Sequence, residues 1–247
     1  MSTWSMLVWV ILPYMALAIF VLGHIWRWRY DQFGWTSRST QLQERRLLKW
    51  GSPLFHYATF AAIAGHVLGI LVPKSFVDWL GVPEKAYQMF SGIAGSIAAI
   101  GILIGAGILT FRRTAVPRVR ATTNAVDYLA LILLAIIVLL GIYLTIGKEE
   151  LGGGYEYRNT VSPWFRSLFV AHPNVKSIER APIMYQVHAA AAWAIFAVWP
   201  FSRLVHAWSY PLWYLWRPYI VIRSRVAGPP KEPGTSGRRW RKIGVPY

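Results

Sequence analysis

The stretch P-L-F-H-Y-A-T-F-A-A-I-A-G-H-V-L-G-I-L-V, residues 53–72, decides the architecture. It is apolar enough to cross a bilayer, yet it contains His56 and His66. A helix crosses a hydrocarbon core of about 30 Å with about 20 mostly apolar residues. An unsatisfied polar group in that core is costly. Two imidazoles inside one such run therefore predict partners within the membrane.

Working outward, four more apolar runs lie near residues 5–26, 88–111, 126–147 and 184–208 of the 247-residue chain, 55% of which is hydrophobic. The reading is an all-α, multi-pass membrane protein: a five-transmembrane-helix bundle. No basic residue precedes the first run, no A-x-A-like site closes it, and Arg27 and Arg29 follow at once. It is therefore expected to be a retained span and not a cleaved signal.

The net charge of +16 does not point to nucleic acid, because of where it falls. Eighteen of the 26 Lys and Arg lie in the segments 27–49, 112–120 and 217–242, which five spans put on one side of the membrane; Arg203 lies near the same end of the last run. The other side has seven. The positive-inside rule then sets the N-terminus outside and the C-terminus in the cytoplasm. Residues 1–219 read as the membrane domain and 220–247 as a basic cytoplasmic tail, rich in Pro, Gly, Arg and Lys.

Cysteine is absent, which excludes disulfides, thiolate ligands, iron–sulfur clusters and the C-x-x-C-H attachment of c-type haem in this chain. Trp4, Trp9, Trp26, Trp28, Trp208, Trp213 and Trp216 stand where spans should meet headgroups, as interfacial belts do. The third run pairs Gly92 with Gly95 and Gly101 with Gly105, spaced for close helix contact. The outer loop 147–182 is long; its P-W-F-R-S-L-F-V (163–170) suits a short interfacial helix, and no chemistry is assigned to it.

Six histidines are present. His24 and His172 read as interfacial or solvated. The other four sit in the second and fifth runs, which are antiparallel, so His56 shares its depth with His206 and His66 with His188. Facing imidazoles across a bundle are the arrangement that holds b-type haem. Gly65, Gly69 and the alanines 189–192 leave room for a flat macrocycle. The plain alternative is four histidines satisfied by Ser, Thr and backbone groups; two depth-matched pairs favour the haem reading.

On one continuous helix His188 and His206 are five turns apart, on one face, roughly 27 Å along the axis. His56 and His66 are roughly 15 Å apart and about 80° short of a common face. With tilted helices and slanted ligand axes the two metals would lie about 21 Å apart along the membrane normal.

The motifs L-F-H (54–56) to G-H (65–66), P-R-V-R-A-T-T (117–123) and P-F-S-R-L-V-H-A-W-S (200–209) resemble the gamma subunit of respiratory nitrate reductase, in order, from about Pro13 to Arg225. The resemblance implies a dihaem cytochrome b with five helices and an outside N-terminus. It further implies that menaquinol or ubiquinol is oxidised near the outer haem, with electrons passing to a cytoplasmic iron–sulfur beta subunit and a molybdenum-containing alpha subunit that reduces nitrate. Carried over, His66 and His188 hold the distal haem, His56 and His206 the proximal one, and Lys85 marks the quinol site together with His66.

The residues agree with that assignment. Lys85 is one of two cations in a short outer loop, placed to donate to a quinol oxygen beside His66 and to favour the deprotonated quinol. A lysine snorkelling to headgroups is the simpler use. Arg203, one turn from His206, and Arg118 and Arg120, in the loop before span four, are candidates for the proximal haem propionates; equally they serve as topology signals. A dihaem subunit of another quinone-linked enzyme, such as a hydrogenase, and a haem-free transporter or anchor are the competing readings. Uninterrupted spans without internal repeats speak against transport.

Overall fold

The computed structural model describes residues 2–150, 155–209 and 216; of residues 148–150 it describes the backbone only. The described residues up to 209 fall within one compact unit, Met1–Tyr210. The expected boundary at 219/220, the tail and Trp213 lie outside the described residues.

Among the described residues every regular element is helical. Four helices are long and apolar enough to cross a membrane: α1, Thr3–Tyr30; α2, Arg46–Leu71; α4, Glu84–Ala115; and α6, Ala125–Gly147. Between them lie the short α3, Lys74–Trp79, and α5, Pro117–Arg120. The outer loop folds into α7, Val161–Phe169, and α8, Val175–Glu179, before α9, Ile183–Val198. Pro73, Pro83 and Pro182 stand at N-caps in extended conformation and Pro117 opens α5, where a missing N–H costs nothing. At Asn124 a capping box with Asp127 starts α6.

The fifth run departs from the expected continuous helix over 184–208. The α-helix ends at Val198, tightens to a 3₁₀ turn over Trp199–Phe201, bends at Ser202, and resumes as a 3₁₀ turn over Arg203–Ala207. Pro200 removes an interior donor and Ser202 turns extended, its hydroxyl accepting from the Leu204 amide at 3.2 Å. His188 and His206 are thus not on one helix face, and their separation of five straight turns does not hold.

Packing is closest between α2 and α4, where glycine replaces side chains at the contact. A methyl group on Gly105 would lie 2.6 Å from the Phe55 amide nitrogen, and one on Gly101 2.9 Å from the Ala58 methyl. That is the close backbone approach small residues permit. Helix α9 packs on α1 and α6, and α4 on α6. By contrast, α2 and α9 are not a closely packed pair. Along the spans many large apolar side chains are exposed, among them Leu22, Phe60, Ile97, Ile132 and Leu139. Such a surface is stable only against lipid.

The most buried apolar cluster sits at the end of the bundle that carries α7 and α8. Trp164 of α7, 1% exposed, meets Trp9 edge to face at 5.4 Å and donates to its carbonyl at 3.1 Å; Ile178, Tyr185 and Trp193 complete the cluster. The helix expected over 163–170 is α7, Val161–Phe169, with Trp164 and Leu168 buried against α1 and α9. At the opposite end of the spans two buried arginines act as nodes. Arg27 donates to the carbonyls of Pro200, Ser202 and Gly34, and Arg112 to Glu44 and Thr40.

Candidate functional site: two imidazole pairs

On α2, each histidine has a backbone carbonyl one turn back within reach of its ring. The His56 Nδ1 donates to the Ser52 carbonyl at 2.7 Å, and the His66 Nδ1 to the Ala62 carbonyl at 2.7 Å. In the last 3₁₀ turn the His206 Nδ1 donates to the Arg203 carbonyl at 2.6 Å. A carbonyl only accepts, so each bond puts the proton on Nδ1 and leaves Nε2 with a free lone pair, the state in which imidazole binds a metal. The fourth ring differs: the His188 Nδ1 is buried with no hydrogen-bond partner among the described residues.

The four rings meet two by two as the antiparallel depths predict. His56 and His206 have centroids 5.8 Å apart, and His66 and His188 6.2 Å apart with planes 23° from parallel. Two imidazoles bound to opposite sides of one metal, each at about 2 Å, have centroids about 6 Å apart. Direct imidazole hydrogen bonds would not produce that separation with three of the four Nδ1–H groups turned back to the helix.

The rotation of about 80° between His56 and His66 is accommodated by the opposite strand. Because the chain breaks at Ser202, His206 is aimed independently of His188, and each meets its own partner.

Room beside the rings matches a macrocycle. A methyl group on Gly65 would touch nothing within 4 Å, and Gly65 and His66 are exposed. Gly141 of α6 lets that helix approach His188, whose Cε1 would lie 3.5 Å from a methyl there. Among the described residues no group of three or more His, Cys, Asp or Glu comes together to hold a bare ion. A porphyrin supplies four nitrogens itself and asks the protein for the two axial ligands, which each pair can provide. The residues fit haem.

Lys85 stands on the first turn of α4, exposed, with no hydrogen bond or ion pair among the described residues. Its neighbour Glu84 is fully engaged: Lys74 Nζ lies 3.0 Å from its Oε2 and Arg158 Nη1 3.7 Å from the same oxygen. Lys74 also reaches Glu156, at 3.5 Å. Burial and the adjacent Glu84 raise the pKa of Glu156, while hydrogen bonding to Glu84 raises that of Lys74.

The three arginines offered for the inner haem behave differently from one another. The guanidinium of Arg203 is spent within the protein: its Nε lies 2.8 Å from Asp127 Oδ2, Nη1 donates to the Arg38 carbonyl at 2.8 Å and Nη2 to the Thr122 carbonyl. Arg118 and Arg120 are exposed and make no ion pair among the described residues. His24, read as interfacial or solvated, is half-buried among Phe20, Trp35 and Trp208, with its Nδ1 donating to the Phe20 carbonyl. What the sequence did not single out is the turn 155–159. There the Tyr157 hydroxyl fills the place of a side chain at Gly69, one turn past His66, and Tyr157 stacks at 6.4 Å on Tyr185, one turn before His188.

The family model described as nitrate reductase gamma subunit matches residues 5–225. The chain belongs to the nitrate reductase gamma subunit family. It is 41% identical to the nitrate reductase gamma chain of Bacillus subtilis over 219 residues, covering 89% of this chain and 98% of that one. Against the respiratory nitrate reductase 1 gamma chain of Escherichia coli the identity is 34% over 217 residues, 87% of this chain and 95% of the relative. It is also 45% identical over 221 residues to the nitrate reductase-like protein NarX of Mycobacterium tuberculosis. That match covers 89% of this chain, which spans only 34% of NarX. A chain of this family with four helices of membrane-crossing length is a membrane protein.

Proposed function

We propose that this gamma subunit is the quinol-oxidising cytochrome b of a nitrate reductase in a bacterial plasma membrane, with two b-type haems held by His66 with His188 and by His56 with His206. The observation that carries the reading is the pair of centroid distances, 6.2 and 5.8 Å, between rings of which three, His56, His66 and His206, have Nε2 left free by an Nδ1 hydrogen bond. Haem bound there supplies reversible one-electron carriage.

The chain's own residues supply position and direction. In this reading the fifth crossing is α9 plus the two 3₁₀ turns: 16 α-helical residues give about 24 Å, and the turns add the remainder. Five crossings leave the N-terminus outside and the tail in the cytoplasm. The His66 pair is then outer and the His56 pair inner, roughly 15 Å apart along α2. Lys85, with a free ammonium at the outer end, donates to a quinol oxygen and lowers the cost of deprotonating it. Reducing equivalents leave on the inner side for an iron–sulfur beta subunit and a molybdenum-containing alpha subunit. A chain without cysteine lacks the thiolates that an iron–sulfur centre needs.

The test is an alkaline pyridine spectrum of the purified chain. Two b haems per polypeptide are expected, with His66→Ala or His188→Ala losing one of them together with quinol oxidation. A wild-type preparation without haem ends the reading.

A further inference from the structure

The outer turn 155–159 faces two ways. Tyr157 lies over Gly69 and Tyr185, next to the His66–His188 pair, whereas Glu156 and Arg158 meet the first turns of α4. Glu84, Tyr87, Glu156, Tyr157 and Arg158 line one small polar pocket there. Arg158 is 3% exposed, its guanidinium 4.0 Å above the Tyr87 ring, and its Nε, Nη1 and Nη2 have no hydrogen-bond partner among the described residues. Its one ionic neighbour is Glu84, whose Oε2 lies 3.7 Å from Nη1, beyond hydrogen-bond distance, so the three buried donors leave room for an oxygen ligand in that pocket. Lys74 closes the far side, in contact with both carboxylates at 3.0 and 3.5 Å and one-third exposed.

Resting on the quinol-oxidising reading, we propose that the Glu84–Glu156 pair, set between buried Arg158 and partly exposed Lys74, accepts the quinol protons and passes them to the outer surface. For each quinol O–H bond that breaks, the electron leaves to the one-electron b-haem acceptor held by His66 and His188. The proton forms an O–H bond on the carboxylate pair and then leaves past Lys74. Two such steps convert quinol to quinone and release two protons.

The pair suits the task because its members are unlike. Glu84 Oε2 faces two cations, Lys74 and Arg158, whereas Glu156 has Lys74 as its one ion-pair partner among the described residues and is pushed up by burial and by Glu84. Two carboxylates gathered on one ammonium hold one proton readily and a second poorly. Tyr87, Tyr155 and Tyr157 are the remaining titratable groups around them, and the adjacent Lys85 is the cation for the quinol oxygen.

The test uses the whole complex with Glu156→Gln, Glu156→Asp and Glu84→Gln. Haem content and dithionite-reduced spectra are read first, then quinol-driven haem reduction by stopped flow across pH, and the redox-induced infrared band of a carboxylic acid. Glu156→Gln is expected to keep both haems and to slow quinol-driven reduction at least about tenfold, with an altered pH profile. The carboxyl band should disappear, and Glu156→Asp should restore rate and band. Wild-type rate, pH profile and infrared spectrum in Glu156→Gln overturn the proposal; if that variant loses haem, Glu84→Gln decides by the same readings. A wild-type complex that carries haem but is not reduced by quinol overturns the quinol reading and this inference with it.

Discussion

Gly105→Ala is expected to loosen the contact that presents His56. The added methyl would lie 2.6 Å from the Phe55 amide nitrogen and 2.7 Å from its Cα. Ordinary contact begins near 3.4 Å, so the two helices must separate by about 0.8 Å in a region packed to crystal-like density. The obstructing atoms are backbone, and no rotamer change relieves them. Overpacking of this kind costs about 1–3 kcal/mol, and the obstruction by fixed atoms puts Gly105→Ala at the upper end. Replacing glycine by alanine inside a helix returns about 1 kcal/mol, which leaves a net loss of about 2 kcal/mol.

Gly107 on the same helix is the control, since a methyl there touches nothing within 4 Å. Gly107→Ala is expected to be neutral or to stabilise by up to about 1 kcal/mol. Reversible unfolding of both variants in one detergent measures the difference, expected at about 2–3 kcal/mol. Haem content checks the consequence: Phe55 adjoins His56, so Gly105→Ala weakens retention at the inner pair before the outer one. Equal stability of the two variants would refute the account of the α2–α4 contact.

Lys85→Ala is expected to keep both haems yet slow quinol oxidation, measured by stopped-flow reduction; unchanged kinetics remove Lys85 from the site. Arg203→Met strands Asp127, whose side chain is 3% exposed and whose Oδ1 already lacks a partner. Unfolding should show a loss of about 3 kcal/mol, smaller when Asp127→Asn is added, because the unpaired buried charge and not the lost contact dominates. At Glu44 burial raises the carboxyl pKa, but hydrogen bonds from the Leu47 amide and Arg112 outweigh it, so the folded value is depressed. The stabilisation this gives is present above the unfolded carboxylate pKa and is lost as pH falls through the lower folded one. Glu44→Gln should flatten stability against pH in that acid range, and a curve parallel to wild type would contradict the assignment.

The sequence by itself determined what lipid enforces. An apolar run of about 20 residues is read the same way wherever it sits, so the four long helices were legible. A histidine inside such a run must find a partner, so the pairing of His56 with His206 and of His66 with His188 followed from depth and antiparallel order alone. Gly101 and Gly105 announced the close face of α4 for the same local reason.

Only the tertiary structure decided where long-range partners override local pattern. The Ser202 break is held by Arg27, which takes the Pro200 and Ser202 carbonyls from more than 170 residues away, a contact no window around Pro200 contains. Arg27, Arg112 and Arg203 read as topology charges, yet each is spent on buried carbonyls and carboxylates, since a guanidinium's five donors can tie several segments at once. The outer loop carried no signal for chemistry. Its Glu156, Tyr157 and Arg158 become a site only when Trp164 docks on Trp9 and Arg166 on the Ile70 carbonyl, setting that turn against α2 and α4. Period and hydropathy report the solvent a residue prefers; which side chains share a pocket depends on loops closing over distances that neither encodes.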